Sequence, residues 1–423
     1  MKRRSLSKLP SGFLCEVVEN MTDKKEMLAP QIRFNGYTNA WGQRKLGEVG
    51  DVVTGSTPST NNAEYYNGEY IFVSPADIQE NRYVNETTTT LTKTGFDSGR
   101  KIRNGSTLFV CIGSTIGKVG QAGREVITNQ QINSVIANEA IADDDFVFSL
   151  LQMRSPRIKE LAATQAVPII NKSTFSDVDV NLPSLSEQTA IGNFFRTLDN
   201  ALLMQKRKCE GLRKLKVAYL QQMFPQNGES VPRLRFGGFT REWKIAKAGE
   251  IFISVSEKNH PKLPVLSASQ EKGMVLRDEI GIDIKFDENA LGTYKKILPG
   301  QFAIHLRSFQ GGFAHSTIEG ITSPAYTILD FENQNEHDSD FWKEVFTSKI
   351  FIKRLETITY GIRDGRSISF TEFSTLTMPY PTHEEQLAIG NFFCSLDMQT
   401  STHQAKLNKL KHLKQALLQK MFV

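Results

Sequence analysis

Three places in the chain carry residues at spacings that invite chemistry. The loop "GSTIGKVG" (113–120) sets two glycines before Lys118 as a phosphate cradle would, but it is one residue short of GxxxxGK[ST], and Val119 stands where a hydroxyl would hold magnesium. The run "ADDD" (142–145) gathers Asp143, Asp144 and Asp145. Directly before a helical pattern such carboxylates read first as cap and dipole partners, and only second as a metal-binding nuclease site. Four cysteines (Cys15, Cys111, Cys209, Cys394) show neither CxxC pairing nor histidine spacing, which argues against zinc and against a disulfide framework. There is no Asx-Pro-Pro-aromatic tetrapeptide for amino methylation, no dinucleotide fingerprint and no ordered Ser, His, Asp set. The expectation is a chain without catalytic residues, metal or cofactor of its own.

What remains is a set of polar loops with interleaved cations. In the first half these supply Lys93, Arg100, Lys101 and Arg103, then Ser114, Thr115 and Lys118, then Asn129, Gln130 and Gln131. In the second half they supply Ser267, Ser269, Gln270 and Lys272, then Arg307, Ser308 and Gln310, then Arg363, Arg366 and Ser367. Arg with guanine, and Asn or Gln with adenine, are the bidentate pairs that read base edges in the major groove. Lys, Ser and Thr suit phosphates, which position a protein on DNA without specifying sequence. Loops are polar in any protein, so the set argues for DNA more strongly than any one member.

These loops need a scaffold, and the sequence writes one twice. "EQTAIGNFFRTLD" (187–199) returns as "EQLAIGNFFCSLD" (385–397), and the gapless match from Glu187–Phe224 to Glu385–Phe422 has 19 identities in 38 positions. Unrelated segments would share about two or three, so the repeat is real. A second echo joins "RFNGYTNAW" (33–41) to "RFGGFTREW" (235–243). Apolar residues recur at threes and fours from Ile191 to Leu215 and from Ile389 to Leu417, predicting two amphipathic helices of about 37 residues that pair as a coiled coil. Ser184 or Ser186 opens the first, Thr382 opens the second, and Pro225 with Gly228 stops the first.

Between these helices lie intervals 50–183 and 251–381, with short β-rich runs such as "YIFVS" (70–74), "STLFVCIG" (106–113), "INSVIA" (132–137), "KLPVLSAS" (262–269), "QFAIHL" (301–306) and "AYTILD" (325–330). Each ends in a helical candidate, "DDFVFSLLQMRSPRIKELA" and "DSDFWKEVFTSKIFIKRLE". The fold class is α+β, with two tandem α+β domains on two long antiparallel helices. Gly105 with Gly300 and Gly117 with Gly312 mark a shared frame. The boundaries read as 1–29 leader, 30–183 first domain, 184–230 first long helix and linker, 231–381 second domain, and 382–423 second long helix. Net charge is +5, but 199–224 and 397–423 each carry +4, as segments near a polyanion would. The leader is broken by Lys8, Pro10, Glu16 and Glu19, so no secretory core forms, and no apolar run reaches membrane-span length. A cytoplasmic protein is expected, with Met21 an alternative start.

The doubled "EQxAIGNFF" helix starts after "LPSLS" and "PYPTHE", the "RFxG(Y/F)T…W" segments, and two variable intervals of about 130 residues resemble the specificity subunit of Type I restriction-modification enzymes. The resemblance covers nearly the whole chain from residue 30. It implies two target recognition domains on an antiparallel helix pair, reading double-stranded DNA in two unequal half-sites about one helical turn apart. It implies two methyltransferase subunits that bring S-adenosylmethionine and methylate adenine N6, and restriction and translocase subunits that use ATP and Mg2+. Partner contact is expected at the helix starts, through Glu187, Gln188, Phe194, Phe195, Glu385, Gln386, Phe392 and Phe393, although the phenylalanines equally suit an internal core. Two other functions remain open: a self-sufficient DNA enzyme, and a coiled-coil assembly protein without DNA binding.

Overall fold

The computed structural model describes residues 29–162, 168–226, 229–269, 272–280, 288–305, 312–355 and 368–423. The chain forms two compact units, one of residues up to Arg207 together with Gln404–Val423, the other of Lys208–His403. Both expected long helices are present, at Leu185–Gln222 and His383–Met421. Ser184 opens the first, its hydroxyl accepting from the Glu187 N–H at 3.4 Å. Each unit therefore owns the head of one long helix and the tail of the other.

In unit 1 a five-stranded sheet runs in the order Gly50–Thr54, Ile132–Ala137, Thr107–Val110, Val119–Ala122, Tyr83–Val84. A smaller four-stranded sheet joins Thr90–Leu91, Tyr66–Val73, Val126–Thr128 and Lys101–Ile102. Unit 2 repeats the first four strands of the larger sheet as Phe252–Val255, Thr327–Phe331, Phe302–Ile304 and Phe313–His315. All six β-rich runs contain strands. Gly105 and Gly300 occupy the same turn with φ of 87° and 89°. The hairpins that follow close alike, Gly117 donating to Val110 and Gly312 accepting from His305, both at 2.9 Å.

The helical candidates divide differently. The first is one helix, Asp144–Glu160, while the second breaks at Ser348 into Ser339–Thr347 and Lys349–Leu355. Both are capped by the aspartate that precedes them: Asp143 accepts from Phe146 N–H at 3.0 Å and Asp338 from Phe341 N–H at 2.8 Å. The "ADDD" run is thus a helix cap.

The "AIGNFF" glycines explain how a long helix head seats on these caps. A Cβ at Gly192 would lie 2.5 Å from the Asp143 carboxylate and 2.8 Å from the Phe146 nitrogen; at Gly390 it would lie 2.5 Å from Asp338 and 3.0 Å from the Phe341 nitrogen. Only glycine admits so close an approach. The helix tails complete each core. Phe422 meets Trp41, Phe146 and Phe195 at ring separations of 6.1, 5.3 and 5.8 Å. Phe224 meets Trp243, Phe341 and Phe393 at 6.2, 5.6 and 6.1 Å. Buried aromatics of this kind dominate core energetics. Head and tail run antiparallel in both units, since Phe195 meets Phe422 while Asp199 meets Lys414, and Phe393 meets Phe224 while Asp397 meets Lys216.

Candidate nucleic-acid interface

In unit 1, loops 54–62, 98–100, 112–118 and 129–131 gather at one rim of the sheets. Ser56 N–H donates to Thr128 at 2.8 Å, and Cys111 N–H to Gln131 at 2.8 Å. Arg100 ties two of these loops together, its N–H donating to the Ser56 hydroxyl at 3.0 Å and its guanidinium to the Thr54 carbonyl at 2.8 Å. The Thr57 hydroxyl donates to the Gln130 side-chain oxygen at 2.5 Å. Asn129 donates to the Gln131 oxygen at 3.0 Å, and Gln131 N–H closes a turn on Asn129 at 3.1 Å. The loop of Ser114, Thr115 and Lys118 lies beside Gln131, whose amide nitrogen would be 3.6 Å from a Cβ at Gly113. Ser114 and Gln130 are exposed; Thr115, Lys118, Asn129 and Gln131 are half-buried.

Across these four loops there is no Asp or Glu, while Arg100 and Lys118 are both present. An acid-free, hydroxyl- and amide-rich rim with two cations is what a polyanion requires of a surface. Sequence reasoning missed Ser56 and Thr57; the signal was the run "TGSTPSTNN" (54–62), nine residues without a carboxylate.

Other predicted residues are spent elsewhere. Arg103 grips Asp144 at 2.5 and 3.1 Å and the Ala137 carbonyl at 2.9 Å, so it braces strand to helix. Burial pushes the Asp144 carboxyl up against the pull of that guanidinium. Lys93 and Lys101 share Asp97, Lys101 at 2.7 Å. Hydrogen bonds from Lys101 and then Lys93 hold the Asp97 carboxyl below the usual range, and the pairing halves the charge this edge offers to phosphate. In unit 2, the Ser269 hydroxyl accepts from the Lys272 N–H at 3.3 Å in a hairpin turn, and Ser267 accepts from Arg277 at 3.1 Å. Gln270, Arg307, Ser308, Gln310, Arg363, Arg366 and Ser367 lie outside the described residues.

The eight positions expected to meet partners are engaged within their own units. Arg33 donates twice to Glu187, at 2.7 and 2.8 Å, and Arg235 twice to Glu385, at 2.8 and 2.6 Å. Each guanidinium is held above its ordinary value by its hydrogen-bonded carboxylate. Gln188 donates to the Ile141 and Pro183 carbonyls and accepts from Asp143 N–H; Gln386 does the same with Glu336, Pro381 and Asp338. Phe195 and Phe393 are fully buried. Phe194 and Phe392 are half-buried under Phe34 and Phe236, at 5.8 and 5.7 Å. The two sequence echoes therefore bond to each other: each "RF" clasps the "EQ…FF" of its own unit. The buried Glu and Gln side chains brace each unit from within, because a carboxylate this deep persists only when paired.

Among the described residues no group of three His, Cys, Asp or Glu could hold a metal ion, and no helix is long and apolar enough to cross a membrane. Residues 39–211 match the family model "Type I restriction modification DNA specificity domain". The chain is 22% identical over 407 residues to the Type I restriction enzyme MjaIX specificity subunit of Methanocaldococcus jannaschii, covering 90% of this chain and 92% of that one. It is 28% identical over 206 residues to the HindI specificity subunit of Haemophilus influenzae, where the match spans less than half of that relative, 43% of its length. Among solved structures, the Type-I restriction-modification S subunit from M. genitalium superposes with a TM-score of 0.63 at 17% identity, over 93% of this chain and 99% of that one. By its repeated frame and these relatives the chain is similar to type I restriction-modification specificity subunits, and residues 39–211 match the DNA specificity domain of that family.

Proposed function

We propose that this chain is the non-catalytic DNA reader of a type I restriction-modification assembly, each unit reading one half of a bipartite, asymmetric target. The observation that carries the reading is the acid-free rim of unit 1, where hydrogen bonds gather Arg100, Asn129 and Gln130, and the Cys111 N–H bond to Gln131 brings the loop of Ser114 beside them. The guanidinium has five donors and spends one on Thr54, leaving the rest for a base edge or phosphate. Because intervals 50–183 and 251–381 share a frame but not their loops, the two half-sites differ.

Adenine N6 methylation from S-adenosylmethionine, and ATP- and Mg2+-dependent cleavage, belong in this reading to two methyltransferase subunits and to restriction subunits. The docking surfaces suited to a pair of identical partners are the outer faces of the long helices. There Leu215 and Leu413, equivalent positions of the repeat, are 42% and 38% exposed, with Met204 and Met398 also exposed. Mapping N6-methyladenine across the genome of cells with and without this chain tests the proposal. The expected result is one split motif that loses methylation when the chain is removed. Identical methylomes, or loss at a single uninterrupted motif, would refute it.

A further inference from the structure

Unit 2 carries a cleft of about 460 Å3 lined in part by Leu298, Asp330, Phe331, Gln334, Asp338 and Ser339. That volume lies within the range of small-ligand sites, about 300–1,000 Å3. Its place in the frame is defined by unit 1. Leu298 stands two residues before Gly300, as Arg103 stands two before Gly105. Asp338 and Asp143 are equivalent helix caps, so Ser339 stands for Asp144. Phe331 stands for Ala137, each ending a strand whose next N–H donates to the last residue of the short helix before the paired strand, Glu332 to Ile251 and Asn138 to Val49.

In unit 1 this space is filled from within: the Arg103 guanidinium lies between the Asp144 carboxylate and the Ala137 carbonyl. In unit 2 the arginine is replaced by leucine and its aspartate by serine, and the same space is an open cleft. Its carboxylate is moved one strand position away, to Asp330, which accepts from Gln301 at 2.8 Å, Gln334 at 3.3 Å and Phe331 N–H at 2.8 Å. All three donors are neutral. Among the described residues neither Asp330 nor Asp338 enters a salt bridge. The Asp330 carboxylate, without an ion-pair partner among the described residues and beside a carbonyl-bearing strand end that holds a guanidinium in the sister unit, defines what fits: a planar cation with forked N–H donors, better than a point-charge ammonium.

We infer that this cleft receives a guanidinium group, presented by an arginine of another protein or by a free cation. The test is calorimetric titration of the full chain with N-methylguanidinium, with the tripeptide Gly-Arg-Gly, and with methylammonium as control. Wild type should bind the two guanidinium probes saturably and methylammonium several-fold more weakly. Asp330→Asn should weaken guanidinium binding at least about tenfold. Leu298→Arg with Ser339→Asp rebuilds the sister unit's pair inside the cleft, so it should abolish binding while keeping or raising the melting temperature. A tripeptide that binds more tightly than methylguanidinium assigns the group to a protein partner; equal affinity assigns it to a free cation. No saturable binding by folded wild type, or unchanged binding by Asp330→Asn, would overturn the inference.

Discussion

Unit 1 neutralises the junction of its long helices with Arg82 and Lys414 against Asp145 and Asp199, whereas unit 2 uses Lys216 and Lys343 against Glu344 and Asp397. One pairing is common, the tail lysine of one long helix on the head aspartate of the other, at 2.5 Å for Lys414–Asp199 and 2.7 Å for Lys216–Asp397. The remaining charges come from unrelated places, Arg82 from a loop and Lys343 from the short helix of unit 2. Burial pushes the Lys414 ammonium down against the pull of Asp199. It also pushes the Glu344 carboxyl up despite Lys216 and Lys343, one Glu344 oxygen being buried without a partner. The contrast teaches that the frame fixes which helices meet and where the inter-helix pair sits, while the balancing charges drift with the variable domain beside it.

The largest effect expected from breaking this likeness is loss of the tail aromatics. Phe422→Ala and Phe224→Ala should each cost about 3–5 kcal/mol, confined to unit 1 and unit 2 respectively, as hydrogen exchange read by mass spectrometry would resolve. Equal loss of protection in both units from either change would contradict the division. Next, Lys414→Met should cost about 3 kcal/mol, because Asp199, 8% exposed, loses its shorter ion pair and keeps the longer one, to Arg82 at 3.2 Å. Lys216→Met should cost less, because the Asp397 side chain is 37% exposed and keeps Lys343. Denaturant titration of the two variants orders them.

The units should also part on acidification. His315 and His337 of unit 2 are pushed down to about 4 by burial, and only His412 of the seven histidines falls in unit 1. Their folded values lie below the unfolded one, so the unfolded chain binds more protons and stability falls as pH drops from about 6.5 toward 4. At pH 5 the loss is about 2 kcal/mol per histidine. An NMR titration in which both rings protonate near pH 6.5 would remove this asymmetry. Gly192→Ala and Gly390→Ala should each cost about 1–3 kcal/mol and alike, since the same cap is struck in both units; unequal melting shifts would show that the seats differ. The smallest effect belongs to Lys93→Ala, an exposed pair whose loss should leave the denaturation midpoint unchanged within error.

The repeat made the frame readable from sequence. Spacing located both long helices, the aspartate cap at 143 and the strand runs, because these depend on residues near one another in the chain. Pairings across the fold were not readable. Nothing local tells that Arg33 clasps Glu187, 154 positions away, or that Arg103 is spent on Asp144. The same limit hid what the helix starts do inside each unit: identical residues in two copies form a shared internal joint that their spacing alone does not show. Arg100 and Gln130 were visible as polar loop residues, but that Ser56 and Thr57 meet them requires four loops to converge.

Replacing residues 50–183 with the corresponding interval of a relative, and mapping the methylated motif in cells, tests the central claim most directly, because the substitution changes the loops of unit 1 and leaves the clasp of Arg235 on Glu385 and the Phe224 socket in place. One half of the split motif should change while the other half is retained. A motif altered in both halves, or in neither, would contradict it.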